Sequence, residues 1–375
     1  MMLCHCCGHH VYGAGVTQAP PGPRFSFPTL DMHCHLLVAE AETLVAGREE
    51  KRRESALQPV LMGAASHAHN MALREQLAPC LTDISRRLAD MDRLGIDIQV
   101  LSPSPTQYYY WADESLADEL VDVQNARIAQ VCREHPRRFI GLGAVALQHP
   151  ALAVRQLREA VSEHGLHGVE ISSDPGGRGL DDPALEGFWA EARRLECVVF
   201  LHPLGTSLGE RVNRYYLANV IGQPLETTVA LSQLIFGGVL DRHPGLKLCA
   251  AHGGGYLPYA IGRSDHAHGV RPEAAGCRFA PSTYLKQIWY DTVVFRPQAL
   301  HALADIAGVG QIVAGTDYPF DMGDYALHDL LRATGWDASE VAAVLGGNAI
   351  RLLGLDPDHP ALLAASARLA AKVAP

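Results

Sequence analysis

Four histidines and one aspartate stand directly after short apolar runs, at the positions where strands would end. They are His33, His35, His202, His252 and Asp317. His33 and His35 are two residues apart, so in an extended strand both side chains point to the same side, where two imidazoles can bind one cation. A lone histidine in an apolar run is more often a core or capping residue. Five such residues after four runs would each need a buried polar partner, so the pattern indicates a metal centre with mixed nitrogen and oxygen ligands, typical of catalytic Zn²⁺.

The apolar runs alternate with segments of helical periodicity, which is the pattern of a parallel sheet with helical crossovers. The predicted strands are residues 29–33, 97–101, 139–145, 168–171, 197–201, 246–250, 288–291 and 311–314. The predicted helices include residues 83–94, 115–134, 151–164, 183–195, 225–242 and 297–306. Eight strands with helical crossovers favour one closed (β/α)₈ TIM barrel, an α/β fold in which active-site residues follow the carboxyl ends of the strands.

A doubly wound open sheet is the alternative fold. It usually carries a glycine-rich phosphate-binding turn after its first strand, where this chain has the sequence DMHCHLLV. We predict a single barrel domain over residues 27–375, with a short charged helical insertion at 48–54 that caps the barrel mouth. Residues 1–26 are predicted to be a mobile tail, because their cysteines and histidines lack the second ligand pair of a structural zinc site.

The composition argues against two classes of partner. The 375 residues include 31 basic and 41 acidic side chains, a net charge of −10, with only four lysines. Such a chain is not expected to bind nucleic acid or an anionic membrane through a basic face. Nine cysteines are too few for a disulfide scaffold, and no segment approaches about 18 uninterrupted apolar residues. We therefore expect a cytoplasmic protein without a membrane span, whose partner is a small molecule.

Four motifs resemble those of the amidohydrolase superfamily. They are HxH at 33–35, HP at 202–203, HGGG at 252–255 and GTDYPF at 315–320. The segments at 137–145 and 222–263 further resemble its decarboxylase branch, typified by 2-amino-3-carboxymuconate-6-semialdehyde decarboxylase, and the similarity extends from about Leu30 to Leu355. The resemblance implies a metal-dependent, non-oxidative decarboxylase of a small unsaturated or aromatic carboxylate, of the aminocarboxymuconate semialdehyde or hydroxybenzoate type.

The same resemblance implies roles for individual residues. His33, His35, His202 and Asp317 would hold one divalent metal, Zn²⁺ with Mn²⁺ as the alternative, together with a water molecule. His252 would stand beside that water, and His252 and Asp317 would transfer protons. Binuclear members of the superfamily bridge two metals through a lysine after the fourth strand, and this chain has no lysine there. Glu170 in that strand could substitute as a bridge, but its place inside the sequence GVEIS favours a single metal.

A carboxylated substrate needs cationic groups, and the planar guanidinium of arginine matches a carboxylate. Arg263 and Arg271 follow the HGGG segment. The resemblance matches Arg271 with a substrate-binding arginine contributed across a dimer interface, so a homodimer or a dimer of dimers is expected. Asn219 stands where the muconate enzyme carries a tryptophan. Trp111 ends an aromatic run, residues 108–111, that would form a wall of the substrate pocket.

Two other functions are compatible with the same metal-binding residues. A hydrolase of the same superfamily, acting on a lactone, an amide or a C–C bond, would use the same water as a nucleophile. The long resemblance after the fifth strand favours the decarboxylase. A barrel that only binds or scaffolds would be expected to have a broken ligand set, whereas the set in this sequence is complete.

Overall fold

The computed structural model describes residues 24–373, and the strands of this part form a parallel barrel. They are β1 (Leu30–Leu36), β2 (Ile98–Pro103), β3 (Phe139–Gly141), β4 (Gly168–Ser172), β5 (Val198–His202), β6 (Lys247–Ala250), β7 (Trp289–Asp291) and β8 (Ile312–Val313). Each of the eight overlaps one of the runs predicted from the sequence. The tail predicted at residues 1–26 lies outside the described residues, apart from its last three.

Two sheets close into the barrel. The first consists of β1, β2 and β3, and the second consists of β4 to β8 in chain order. A parallel bridge between Gly143 and Val169 joins the end of the first sheet to β4, and a parallel bridge between Cys34 and Tyr318 joins β1 to the segment after β8. The architecture is therefore the predicted (β/α)₈ barrel, in which the carboxyl ends of all strands lie at one face.

The described residues contain sixteen α-helices. They are α1 (Ala39–Val45), α2 (Glu49–Leu61), α3 (Ala64–Thr82), α4 (Ile84–Leu94), α5 (Glu114–Glu134), α6 (Pro150–Ser162), α7 (Glu186–Arg194), α8 (Gln223–Phe236), α9 (Val239–Arg242), α10 (Leu257–Val270), α11 (Pro281–Tyr284), α12 (Pro297–Ala307), α13 (Leu327–Thr334), α14 (Ala338–Ala342), α15 (Asn348–Leu353) and α16 (Pro360–Val373). The helix predicted at 225–242 is broken into α8 and α9, because Gly238 has a left-handed backbone with φ +69°.

The interior of the barrel is a buried apolar cluster formed by alternate residues of the strands. Its strand members include Leu30, Met32, Ile98, Val100, Ile140, Val198, Phe200, Cys249 and Val313. Ala361, Leu362 and Ala365 of α16 belong to the same cluster, so α16 closes the amino-terminal end of the barrel. A larger apolar cluster packs the outer face of the strands against the surrounding helices. Side chains at the carboxyl ends of the strands therefore rest on a packed apolar floor.

The insertion after β1 is larger than the segment predicted at 48–54. It comprises α1, α2 and α3, of which α2 has no buried residue and α3 buries only Cys80 and Leu81. Helices that bury so little carry a weak hydrophobic periodicity, so the sequence indicated only the charged part of the insertion.

We expect acid to destabilise the fold through His167, which precedes β4 near His359 at the start of α16. Burial, followed by the charges of His359 and Lys247, lowers the pKa of His167 to about 4. In the unfolded chain, His167 has its ordinary pKa of 6.5 and becomes protonated below that pH. Protonation therefore favours the unfolded state, and the contribution of His167 is complete above pH 6.5 and is lost as the pH falls toward 4, by at most about 3 kcal/mol.

Urea denaturation at several pH values tests this expectation. The variant His167→Gln should lose less unfolding free energy than the wild type between neutral pH and pH 4. His266→Gln, which changes an exposed histidine on α10, is the matched control. An identical pH dependence in the wild type and both variants would show that His167 is not the titrating group.

Candidate metal centre

Four side chains converge at the carboxyl ends of the strands. His33, His35, His202 and Asp317 are all buried, and each offers one ligand atom, with these atoms all within 4.8 Å of one another. The Nε2 atoms of His33 and His35 are 3.1 Å apart, and Asp317 Oδ1 is 3.3 Å from each of them. Ligand atoms bound at about 2.1 Å to one ion are separated by about 3.0 to 3.4 Å at tetrahedral or octahedral angles. The spacing therefore suits a single cation.

An irregularity in β1 turns His33 and His35 toward the barrel axis. The register with β2 shifts between Asp31 and Cys34, so two residues of β1 lie opposite one residue of β2. Met32, before the shift, belongs to the inner apolar cluster, whereas Cys34, after it, belongs to the outer cluster. Without this β-bulge, residues of even number would keep facing inward along the whole strand, and both histidines would face the surrounding helices.

His252 and Asp317 have left-handed backbones, with φ of 55° and 59°. Such conformations are uncommon outside glycine, although Asp and His adopt them more readily than most residues, and they cluster at functional sites. Asp291 holds the first of them, because its carboxylate accepts the N–H groups of His252 at 2.9 Å and Gly253 at 2.8 Å. The carbonyl of His33 holds the second by accepting the N–H of Asp317 at 2.8 Å.

The two β1 histidines are oriented by hydrogen bonds from their outer nitrogens. His33 Nδ1 lies 2.5 Å from Asp291 Oδ2, and His35 Nδ1 lies 3.1 Å from the carbonyl of Pro103. Each contact directs the Nδ1–H away from the cluster, so Nε2 is the nitrogen that would bind a cation, which would take the place of any proton there. Asp291 was not among the residues predicted for the site, although its position as the last residue of the seventh apolar run was the available signal.

Several buried polar atoms of the cluster lack a hydrogen-bond partner, which bears on whether a cation fits there. Both ring nitrogens of His202 and the Oδ1 atom of Asp317 are buried and have no hydrogen-bond partner among the described residues. Burying such atoms without a partner costs about 1 to 3 kcal/mol each. A divalent ion bound by a His202 nitrogen and by Asp317 Oδ1 would remove much of this cost, so the residues fit a metal.

The charges at the cluster also suit a cation. Burial raises the pKa of Asp317, but the neighbouring histidines, His33 above all, lower it well below its usual range. Burial lowers the pKa of His33, but Asp317 and Asp291 raise it to about 10. Burial and the neighbouring histidines lower the pKa of His202 well below 6.5, so its ring is neutral, the form that binds metals. The ionised carboxylates of Asp317 and Asp291 thus favour a positive charge in the cluster, and the neutral ring of His202 can bind it.

His252 lies beside the four side chains and is more accessible than the histidines of β1. Its Nε2 is 3.6 Å from Asp317 Oδ2, and its side chain is 17% exposed, compared with 0% for His33 and His35. Its Nδ1 has no hydrogen-bond partner among residues 24–373. The position suits a group that exchanges protons with a bound molecule.

Glu170 lies behind His35. Its Oε1 accepts a hydrogen bond of 2.6 Å from the Tyr108 hydroxyl, and its Oε2 is 3.5 Å from His35 Nδ1, the nitrogen that faces away from the cluster. Glu170 is not one of the four residues whose ligand atoms converge. This placement favours the single metal expected from the sequence over a second metal bridged by Glu170.

The four residues predicted to bind substrate differ in their exposure to solvent. Trp111 and Asn219 are half-buried, whereas Arg263 and Arg271 are exposed on and after α10. Among residues 24–373 there is no hydrogen bond or ion pair between any of these four and the converging ligands. Arg271 instead donates to Glu273 at 2.7 Å. The structure thus brings together the predicted metal ligands and His252, whereas substrate binding by Trp111, Asn219, Arg263 and Arg271 stays a prediction.

The insertion after β1 reaches loops that follow other strands. The Trp111 indole donates to Glu54 of α2 at 3.3 Å, and Asn213, after β5, donates to the carbonyl of Val60 at 3.3 Å. Because these loops follow the carboxyl ends of β2 and β5, α2 lies across the mouth of the barrel, as predicted for the insertion.

The sequence of this chain is similar to those of known enzymes and their family. A family model described as "Amidohydrolase" matches residues 30–355. The 2-amino-3-carboxymuconate-6-semialdehyde decarboxylase of Dictyostelium discoideum is 39% identical over 276 residues, which cover 72% of this chain and 77% of that enzyme. The gamma-resorcylate decarboxylase of Rhizobium radiobacter is 30% identical over 300 residues, which cover 75% of this chain and 90% of that enzyme.

Solved structures show the same fold. The 5-carboxyvanillate decarboxylase of Novosphingobium aromaticivorans, complexed with manganese and 4-hydroxy-3-methoxy-5-nitrobenzoic acid, superposes with a TM-score of 0.78 at 22% sequence identity. The superposition covers 88% of this chain and 96% of that chain. This chain thus shares its barrel fold with that enzyme.

Proposed function

Because the chain belongs to the amidohydrolase family, we propose its function from that premise: it is a metal-dependent, non-oxidative decarboxylase, a carboxy-lyase acting on a small aromatic or unsaturated carboxylate. The observation that carries the proposal is the convergence of His33, His35, His202 and Asp317 with His252 beside them. The named relatives are decarboxylases, which favours loss of CO₂ over hydrolysis. We propose an aminocarboxymuconate semialdehyde or a hydroxybenzoate as the substrate type.

Decarboxylation breaks a C–C bond and leaves the electron pair on the substrate carbon, which must then take up a proton. His33, His35, His202 and Asp317 would hold the divalent cation, which when bound supplies a Lewis acid that polarises substrate oxygens. His252 would deliver the proton, because its ring borders both the cluster and solvent. Asp317 would be the second proton-transfer group: its Oδ2 faces His252 Nε2, so it would pass a proton to the His252 ring, which gives it to the carbon.

CO₂ release from a panel of carboxylates tests the reaction. Metal-loaded protein is incubated with 2-amino-3-carboxymuconate-6-semialdehyde and with mono- and dihydroxybenzoates, and the trapped CO₂ is compared with the decarboxylated product. The control is the same protein stripped with a chelator and then reloaded with metal. We expect equal amounts of CO₂ and product from at least one compound. Hydrolysis of a lactone or an amide, with no CO₂ from any carboxylate, would contradict the proposal.

The metal itself is proposed to be zinc, at one ion per chain. Three imidazole nitrogens and one carboxylate oxygen are ligands that zinc prefers, whereas manganese prefers a larger share of oxygen ligands. Metal analysis of protein purified without chelator should find about one zinc per chain. Manganese as the bound ion, or two tightly held ions per chain, would overturn this assignment.

We propose a cytoplasmic location. The six cysteines in the described part of the chain carry free thiols, which suits a reducing compartment. No helix within residues 24–373 is long and apolar enough to cross a membrane. Fractionation of cells that make the protein should recover it with cytosolic markers, and recovery with a membrane or secreted fraction would contradict the proposal.

Arg271 is proposed to bind the substrate carboxylate in the site of a partner subunit of a homodimer. Its side chain is 65% exposed and is joined only to Glu273 within the described chain, two residues further on. An arginine so placed is available to another subunit. The guanidinium would bind the carboxylate through two charge-assisted hydrogen bonds.

We expect Arg271→Ala to raise KM with little change in kcat. The loss of charge-assisted binding corresponds to about 1.5 to 3 kcal/mol, or roughly 10- to 150-fold in KM. Arg278→Ala, which changes a nearby exposed arginine, is the control and should leave KM unchanged. Mixing Arg271→Ala with Asp317→Ala should restore activity, since each hybrid dimer has one site free of both changes. A mixture no more active than its parents would show that Arg271 does not act across a dimer.

A further inference from the structure

The β-bulge in β1 is stabilised by the side chain of Asp31. At the bulge, Met32 and His33 lie opposite a single residue of β2, and the N–H of His33 donates to Asp31 Oδ1 at 3.2 Å. A backbone N–H displaced from a regular ladder needs another acceptor when it is buried. The carboxylate of Asp31 is that acceptor, two residues before the N–H it receives.

The same carboxylate is joined to the segment that follows β8. Thr316 donates to Asp31 twice, from its backbone N–H at 2.9 Å and from its hydroxyl at 2.7 Å. The hydroxyl of Thr316 also accepts the N–H of Tyr318 at 3.2 Å. Thr316 and Tyr318 flank Asp317, whose left-handed backbone is a conformation that persists only where its surroundings hold it. Asp31 therefore contacts the backbone on which the fourth proposed ligand stands.

A buried arginine completes this network. The fourth donor to Asp31 is Gln99 Nε2, at 3.1 Å, and Gln99 Oε1 in turn accepts from Arg87 at 3.1 Å. Asp31, Gln99 and Arg87 are all fully buried. Arg87 also donates to the carbonyl of His35. The backbones of His33 and His35, on one strand, and Asp317, on another segment, are thus connected through hydrogen bonds to Asp31 and its partners.

We propose that Asp31, acting through Thr316, is a positioning residue for the metal centre. Its carboxylate fixes the bulge that turns His33 and His35 inward, and it ties that bulge to the segment carrying Asp317. The consequence is a fixed separation between the ligand atoms of the two segments, the 3.3 Å from Asp317 Oδ1 to each Nε2. This inference rests on the proposed function, because it assumes that these residues bind a metal.

The test measures metal binding, with activity as a second readout. Thr316→Val removes the hydroxyl that donates to Asp31 while keeping the shape of the side chain, and Thr316→Ser keeps the hydroxyl. We expect Thr316→Val to raise the dissociation constant for Zn²⁺ by about 10- to 100-fold in competition with a chelator. The visible absorption spectrum of the Co²⁺-substituted protein should shift, because the spectrum reports the ligand geometry. Thr316→Ser should restore both properties toward the wild type.

A matched control separates positioning from general stability. Thr334 is also buried, and its hydroxyl donates to a carbonyl at 2.7 Å and accepts the N–H of Trp336 at 3.1 Å. Thr334→Val should lower the melting temperature of the metal-free protein and leave the zinc dissociation constant and the Co²⁺ spectrum unchanged. Asp31→Asn is expected to weaken zinc binding at least as much as Thr316→Val, and the two Thr316 variants decide the question if Asp31→Asn does not fold.

The outcomes distinguish this inference from the proposed function. If the wild type binds no divalent metal, the proposed function is wrong. If the wild type binds zinc, and Thr316→Val has the same dissociation constant and the same Co²⁺ spectrum while losing stability as Thr334→Val does, Asp31 and Thr316 have only a structural role and the inference is overturned.

Discussion

Replacing His33, His35 or Asp317 with alanine is expected to remove the metal and to lower kcat/KM about a thousandfold or more. Each of these residues offers one of the ligand atoms that lie 3.1 to 3.3 Å apart, so its loss leaves an incomplete site. A cation that polarises the substrate contributes several kcal/mol to transition-state stabilisation, and about 4 kcal/mol corresponds to a thousandfold change in rate. The fold should survive, because the barrel interior beneath the ligands is apolar.

Metal analysis and circular dichroism check this result on the same samples. His301→Ala is a suitable control, because His301 bonds to the carbonyl of Thr334 at 2.8 Å and contacts none of the proposed ligands. We expect this control to keep both metal and activity. Full metal content in the His33, His35 or Asp317 variant would show that the residue replaced is not a ligand.

His252→Asn is expected to separate proton transfer from metal binding. His252 lies beside the ligands and is not one of the four whose atoms converge, so metal content should stay near that of the wild type. We expect kcat to fall by about 10² to 10⁴, the usual contribution of a positioned acid or base. Asparagine is the appropriate replacement, because it readily adopts the left-handed backbone seen at this position, where φ is 55°.

Metal content and single-turnover rates, measured together, decide between the possible results for His252→Asn. A slower chemical step with metal retained supports the proton-transfer role. Loss of metal would make His252 a ligand, and an unchanged kcat would leave proton transfer to Asp317 alone. His268→Asn, a change of a half-buried histidine on α10, is the control and should alter neither property.

The positions of the strands and of the converging ligands could be predicted because they depend on local patterns. The first predicted strand ends at His33, whereas β1 continues through His35 to Leu36. In a barrel, residues that follow strands meet at one face wherever the strands lie in the sequence. The helix predicted at 183–195 is also present, although its first turn, Pro183–Leu185, is a 3₁₀ helix.

The residues that support the ligands could not be predicted in the same way. Asp291 ends an apolar run as an ordinary strand residue would, and its role is shown by its contacts with His33 and with the N–H groups of His252 and Gly253. Asp31 acts through a bulge, and a period-two pattern read along β1 does not show where a register shift falls. Partners distant in sequence decide these roles, and they become neighbours only when the barrel closes.

The closure of the barrel from two sheets gives the metal a mechanical role. His33 and His35 belong to the three-stranded sheet, whereas His202 ends β5 of the five-stranded sheet and Asp317 follows β8. A bound ion would cross-link the two sheets where β1 meets the segment after β8. At a free metal concentration a thousandfold above the dissociation constant, metal binding would add about 4 kcal/mol to the free energy of unfolding. Metal starvation would then deplete the enzyme itself, by letting this junction open to proteases, as well as stopping its chemistry.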